Sequence, residues 1–143
     1  MLTHKDLILL DKLRKNARKS LSKISKETRI PVSTLFDKLK KLENNIIIRH
    51  TSLVDFSKLG YSLKINFAIK TREKQELRNY LMKNKHVNSL YKSVDDYFYV
   101  EALFRNMKEL FEFREYIEAH FKVEKIDEHH IIEDLKKEGF LLL

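Results

Sequence analysis

The chain contains no cysteine, and in 143 residues it has only two glycines and one proline. Without cysteine there can be no disulfide, no thiolate nucleophile and no cysteine-ligated metal, a pattern suited to a reducing compartment or a hot one. Gly60, Gly139 and Pro31 are the only strong breakers. Long regular elements joined by short turns are therefore expected. No stretch approaches the roughly 18 apolar residues that a membrane span requires. The start, Met1-Leu2-Thr3-His4-Lys5-Asp6, has no apolar run before a cleavage site, so no signal peptide is expected. These absences together point to a soluble, cytoplasmic protein with no membrane partner. Phosphate-cradling and nucleophile motifs of the P-loop, G-x-S-x-G and G-x-G-x-x-G types are missing as well. The adjacent pair His129-His130 falls in a presumed strand, where neighbours point to opposite faces and cannot chelate one ion together. No metal, cofactor or catalytic residue is expected.

What the chain does have is positive charge, all of it on one side. Residues 1–60 hold 14 Lys and Arg against 6 Asp and Glu; residues 61–143 hold 15 of each. The whole net charge of +8 thus belongs to the first part. A basic module joined to a neutral one is the electrostatic footprint of a polyanion-binding half, since Lys and Arg neutralising phosphates supply most non-specific DNA affinity.

Periodicity divides the chain in the same place. Thr3 and Asp6 form a capping-box pattern, with Asp in place of the usual Glu. Leu7, Leu10, Leu13 and Ala17 then recur at helical spacing, predicting a helix over about 4–16. Leu21 and Ile24 carry a short second helix behind Ser20, which must end before Pro31. A third helix spans about 33–43, with Leu35, Phe36, Leu39 and Leu42 on one face. Ser33, Thr34, Asp37, Lys38, Lys40 and Lys41 fall on the other. Asn44-Asn45 should end it, because Asn tolerates the left-handed backbone of a C-cap. The β-branched run Ile46 to Val54 reads as a strand or a two-stranded wing, and Phe56 to Gly60 as a connector closing the first domain.

From Leu63 the period becomes two, with Leu63, Ile65, Phe67 and Ile69 alternating with Lys64, Asn66, Ala68 and Lys70. A helix follows over Glu73 to Lys85. Strands are expected at Val87 to Ser93 and Tyr97 to Phe104. A second helix runs from Met107 to His120, with Met107, Leu110, Phe111, Ile117 and Phe121 inward. A last strand covers Val123 to Asp134. The order β-α-β-β-α-β is ferredoxin-like. The fold class is α+β, a winged helix-turn-helix over 1–60 and a ferredoxin-like domain over 61–143. Two helices can cover only one sheet face, so dimerisation through the sheet is expected.

With these elements in order, the sequence resembles the Lrp/AsnC (leucine-responsive regulatory protein) family of transcription regulators along nearly its whole length. Asn16-Ala17-Arg18-Lys19-Ser20, with Leu21 and Ile24, looks like the family's N-A-R-x-S start to its second helix. Val32-Ser33-Thr34 and Lys38-Leu39-Lys40-Lys41-Leu42-Glu43 look like its recognition helix ending R-x-x-x-L-E. Val54-Asp55-Phe56-Ser57-Lys58-Leu59-Gly60 looks like its hinge. The resemblance implies a sequence-specific regulator that binds double-stranded DNA as a homodimer or an octamer, with its third helix in the major groove. It also implies that the segment near Arg49 and His50 touches the DNA backbone.

The side chains agree with that role. A helix in the major groove needs small polar groups near its N-terminus to approach base edges, and longer cations to reach phosphates. Ser33 and Thr34 supply the first, Lys38 and Lys41 the second. Asp37 is either an acceptor for a cytosine amino group or a helix cap. The resemblance further implies a small-molecule effector site at the turn that carries G-D-x-D in the family, here Val94, Asp95, Asp96 and Tyr97. Val94 stands for the Gly and Tyr97 for the second Asp. The acidic pair reads either as an amino-group binder or as plain turn residues. Bulky Val94 and Tyr97 predict a site that ignores standard amino acids or takes a larger ligand. Siroheme decarboxylases share the two-domain architecture and are the alternative, an enzyme; the charge of residues 1–60 and the lack of a His/Arg tetrapyrrole cluster argue against it.

Overall fold

The computed structural model describes all 143 residues. They form two compact units: Met1–Leu53 together with Lys136–Leu143, and Val54–Leu135. The expected boundary after residue 60 thus moves to the Leu53/Val54 peptide, and the last eight residues return to the first unit. No helix is long and apolar enough to cross a membrane.

The first unit is three helices, α1 (His4–Lys15), α2 (Leu21–Thr28) and α3 (Val32–Asn45). Thr3 and Asp6 cap α1 reciprocally: the Asp6 N–H donates to Thr3 Oγ1 at 3.2 Å, and the Thr3 N–H donates to Asp6 Oδ2 at 2.7 Å. Ser20 Oγ caps α2 by accepting from the Lys23 N–H. The core is Leu9, Leu10, Leu13, Ile24, Ile30, Leu35 and Leu42. Leu39 joins its edge, whereas Phe36, expected inside, is largely exposed. Leu35 already holds the inward position, and each helical residue turns about 100° from the last.

Two backbone expectations change. The left-handed residue of this unit's helical turn is Arg29 (φ 61), which ends α2. Asn44 and Asn45 stay helical, and the Asn45 amide donates to the Lys41 carbonyl instead. Residues 46–55 form no strand, so the expected wing is an irregular segment here. A β-branched run finds no neighbouring strand within the unit to satisfy its backbone groups, and propensity alone does not make a sheet.

The terminal residues Lys136–Leu143 close this unit. Arg14 donates to the carbonyls of Glu138 (2.9 Å) and Phe140 (3.3 Å), and Leu142 packs on the helical core.

The second unit has an antiparallel sheet in the order β2-β3-β1-β4, from β1 (Leu63–Thr71), β2 (Val87–Lys92), β3 (Tyr97–Phe104) and β4 (Val123–Ile131). Helices α4 (Lys74–Lys83) and α5 (Met107–His120) cover one face. Ile65, Phe67 and Ile69 are fully buried there with Phe98, Val100, Ala102 and Phe104. That apolar face is therefore covered within the chain. From α5, Leu110, Phe113 and Ile117 point inward, while Met107 and Phe111, expected inside, are exposed. The inward spacing is three then four residues, which leaves Phe111 off the stripe. Gly60 ends a short 3₁₀ turn at φ 92, a conformation that favours glycine.

Deleting residues 136–143 should weaken the first unit selectively. Losing partial burial of Leu142 and the Arg14 bonds should cost about 1–2 kcal/mol. Hydrogen exchange of the buried α1 amides should accelerate about 5–30-fold, with the sheet of the second unit unchanged. Equal protection in the full and shortened chains would show that the tail carries no stability.

Candidate nucleic-acid interface

The third helix owes its position to three contacts with its neighbours. Leu35 and Leu42 bury one side of α3 in the core. Pro31 sets the helix start, with φ −57, and provides no side-chain cap for the first turn. Uncapped N–H groups at a helix N-terminus suit an anionic oxygen. The third contact is an ion pair. Lys38 Nζ lies 2.9 Å from Asp6 Oδ1 and 3.2 Å from Thr3 Oγ1, so it joins the capping box of α1. The Asp6 side chain is only 8% exposed. The Lys38 ammonium, with the Thr3 N–H, holds the Asp6 carboxyl down from its ordinary 3.8 to about 2.

This geometry sets the exposure of the residues expected to contact DNA. Ser33, Asp37 and Lys41 are exposed on α3, and Thr34 is half-buried. The Lys38 ammonium, expected to reach a phosphate, is paired with Asp6. Asp37 lies in the body of α3, past its first turn, and so is no helix cap. The exposed stripe runs through Ser33, Phe36, Asp37 and Lys40 instead. The sequence puts Lys40 on the polar face without a role and Phe36 on the core face. Their signal was available in the spacing, since 33, 36, 37 and 40 follow the i, i+3, i+4 rule. Arg49 is exposed in the irregular segment, and His50 Nε2 sits 3.1 Å from Glu43 Oε2.

The four residues of the expected effector turn come together between β2 and β3, in the second unit. Asp96 adopts the left-handed conformation (φ 66) that glycine favours, so the turn needs no Gly at Val94. Asp accepts that conformation better than a β-branched residue would. Asp96 is paired to Lys74 at 2.8 Å, and the Lys74 ammonium lowers its pKa. Asp95 accepts from the Ser93 hydroxyl, and the Tyr97 N–H donates to Ser93 Oγ at 3.1 Å. Val94 is fully exposed. Both carboxylates are thus engaged, Asp95 within the turn and Asp96 with Lys74 of α4. Beside it lies an open cavity of about 440 Å³, walled by Arg78, Lys92, Leu81, Val87 and Phe98.

In β4, His129 pairs with Asn66 and His130 with Ile65, on alternate faces of the sheet. His130 Nε2 sits 2.9 Å from Glu128.

A basic three-helix unit followed by a ferredoxin-like unit defines the architecture of a helix-turn-helix regulator. No protein-family model matches the chain. Curated relatives do. It is 31% identical over 109 residues to the HTH-type transcriptional regulator FL11 of Pyrococcus abyssi, covering 73% of this chain and 72% of that protein. It is 29% identical over 137 residues to an uncharacterized HTH-type transcriptional regulator of Pyrococcus horikoshii, covering 93% of each. Among solved structures, the fold matches a transcriptional regulator of Neisseria meningitidis in complex with L-methionine, with TM-score 0.87 and 20% identity over 96% of this chain and 94% of that one. It also matches AsnC of Escherichia coli, with TM-score 0.80 and 16% identity over 96% of each. The chain belongs to the Lrp/AsnC family of helix-turn-helix proteins, and it is a DNA-binding transcription regulator.

The Asp6–Lys38 pair gives an acid signature. A carboxylate with a depressed folded pKa contributes stability above its unfolded value and loses it as pH falls through the folded one. The first unit should therefore lose about 2 kcal/mol of stability from this group between about pH 4 and pH 2. Asp6→Asn should remove that component and be less stable at neutral pH, so the two proteins converge in acid. Urea melts across that range test it; parallel curves would show that the pair contributes no stability.

Proposed function

We propose that this regulator recognises a specific operator as a homodimer, with α3 lying in the major groove. The observation that carries the reading is the arrangement of α3, whose exposed stripe combines a small hydroxyl, a carboxylate and lysines while its other side is locked to α1. Ser33, Thr34 and Asp37 face base edges; Lys41 and Arg49 reach phosphates; Lys38 holds the helix in place. Action is by binding and not by catalysis, a reading supported by relatives that are named transcriptional regulators. The cytoplasm is the compartment that fits this reading. Dimers pair through the helix-free sheet face, where the cross-strand pair Tyr91 and Tyr99 is exposed, and octamers are the higher assembly.

A titration of purified protein on its own promoter region tests this. Log K should fall with log salt with slope about −0.9 per phosphate contact, and light scattering should find an even number of chains per site. Lys41→Ala should weaken binding to all sequences alike, while Ser33→Ala should cost about 1–3 kcal/mol of discrimination between sites. A salt-independent or monomeric complex overturns the reading.

The turn at Val94, Asp95, Asp96 and Tyr97 is the effector locus we propose, with a ligand other than the standard amino acids. Entry of an amino group would have to displace Lys74 from Asp96. The twenty amino acids at about 100 times a typical Kd should leave the melting temperature unmoved, where a bound ligand would stabilise by about 2.7 kcal/mol. A shift that Asp95→Ala abolishes would assign an ordinary amino acid to this turn.

A further inference from the structure

Phe36 is out of place for a core residue and well placed for another task. It is 48% exposed, and Val32, one turn earlier on the same side, is 42% exposed. Both lie on a helix surface that is otherwise polar and basic, between Ser33, Asp37 and Lys40. The Lys40 ammonium stands 4.6 Å from the centre of the Phe36 ring. That cation–π contact orients the ring and holds a positive charge over one face of it.

An aromatic ring with no donor or acceptor gains nothing from a phosphate. On the major-groove edge of DNA every base pair offers hydrogen-bonding groups, but only thymine offers an apolar one, its C5-methyl. We propose that Phe36 is a base-reading residue, packing with Val32 on a thymine methyl while Lys40 extends from the ring toward the neighbouring base or phosphate. This rests on the reading that α3 occupies the major groove, and adds a sequence preference to it: at least one thymine in each half-site.

Deoxyuridine tests it, because it removes only the methyl. A duplex selected by the protein from a randomised pool is remade with each thymine replaced in turn by deoxyuridine. Wild-type protein should lose about three- to tenfold in affinity at one position per half-site. Phe36→Ala should lose a similar factor on the thymine duplex and bind both duplexes equally; Phe36→Leu should keep part of the difference. Coupling in that cycle isolates the ring–methyl contact. Wild-type protein indifferent to uracil at every position overturns the proposal, as does Phe36→Ala that stays as sensitive as wild type. So does a Phe36→Ala protein whose assembly changes in light scattering, since the ring would then belong to a protein contact. Ser33→Ala separates the two levels. If it relaxes sequence preference while uracil has no effect, only the role of Phe36 fails. If Ser33→Ala, Lys40→Ala and Phe36→Ala all bind as wild type, α3 does not enter the groove and both readings fail.

Discussion

The pairing of Lys38 with Asp6 is the contact on which the first unit is organised. One carboxylate does two jobs: Oδ2 closes the capping box of α1, and Oδ1 receives a lysine from α3. Helices this short are marginal by themselves and are held by packing. A shared, nearly buried ion pair fixes the rotation and axial position of α3 against α1 in a way that leucines alone, which tolerate repacking, do not. Breaking one partner would leave a charge without its counter-charge in a largely desolvated place. The orientation of α3 in turn decides which residues form its outer stripe, so the candidate DNA-reading surface depends on a contact made on the opposite side of the helix.

The second unit solves a different problem. Its sheet buries one face beneath α4 and α5 with branched and aromatic side chains, and it carries almost no net charge. Ion pairs are used locally. Arg114 bridges Glu118 on its own helix and Glu128 on β4, and Lys74 with Lys92 surrounds Asp96 at the turn. A neutral, well-packed sheet is suited to protein contacts or ligands, and a basic helical unit to a polyanion. The chain keeps the two kinds of chemistry in separate units.

Much of this was readable from residues alone, and the reasons are local. The capping box at Thr3 and Asp6, the Ser20 cap and the alternation from Leu63 to Ile69 act within a few residues of themselves, and each is present as expected. Residues alone do not suffice where a second element decides the matter. Phe36 and Phe111 are apolar residues at the margin of an amphipathic stripe, and burial at a margin depends on how the neighbouring helix or sheet is set. Residues 46–55 have strand-like composition but no strand to pair with. In the turn where Val94 stands for the family's Gly, the left-handed φ falls on Asp96, which tolerates it.

By itself the sequence determined the class of the protein. Helix starts, strand alternation, the order of elements and the confinement of positive charge to one part are properties of near neighbours along the chain, and composition and periodicity record them directly. Tertiary structure alone decided that Lys38 pairs with Asp6, that Leu142 returns to close the first unit, and that the outer stripe of α3 runs through Phe36 and Lys40. Each of these joins residues far apart in sequence, where pairing depends on distance and burial in the folded chain. Spacing along one element cannot reveal a partner that another element supplies.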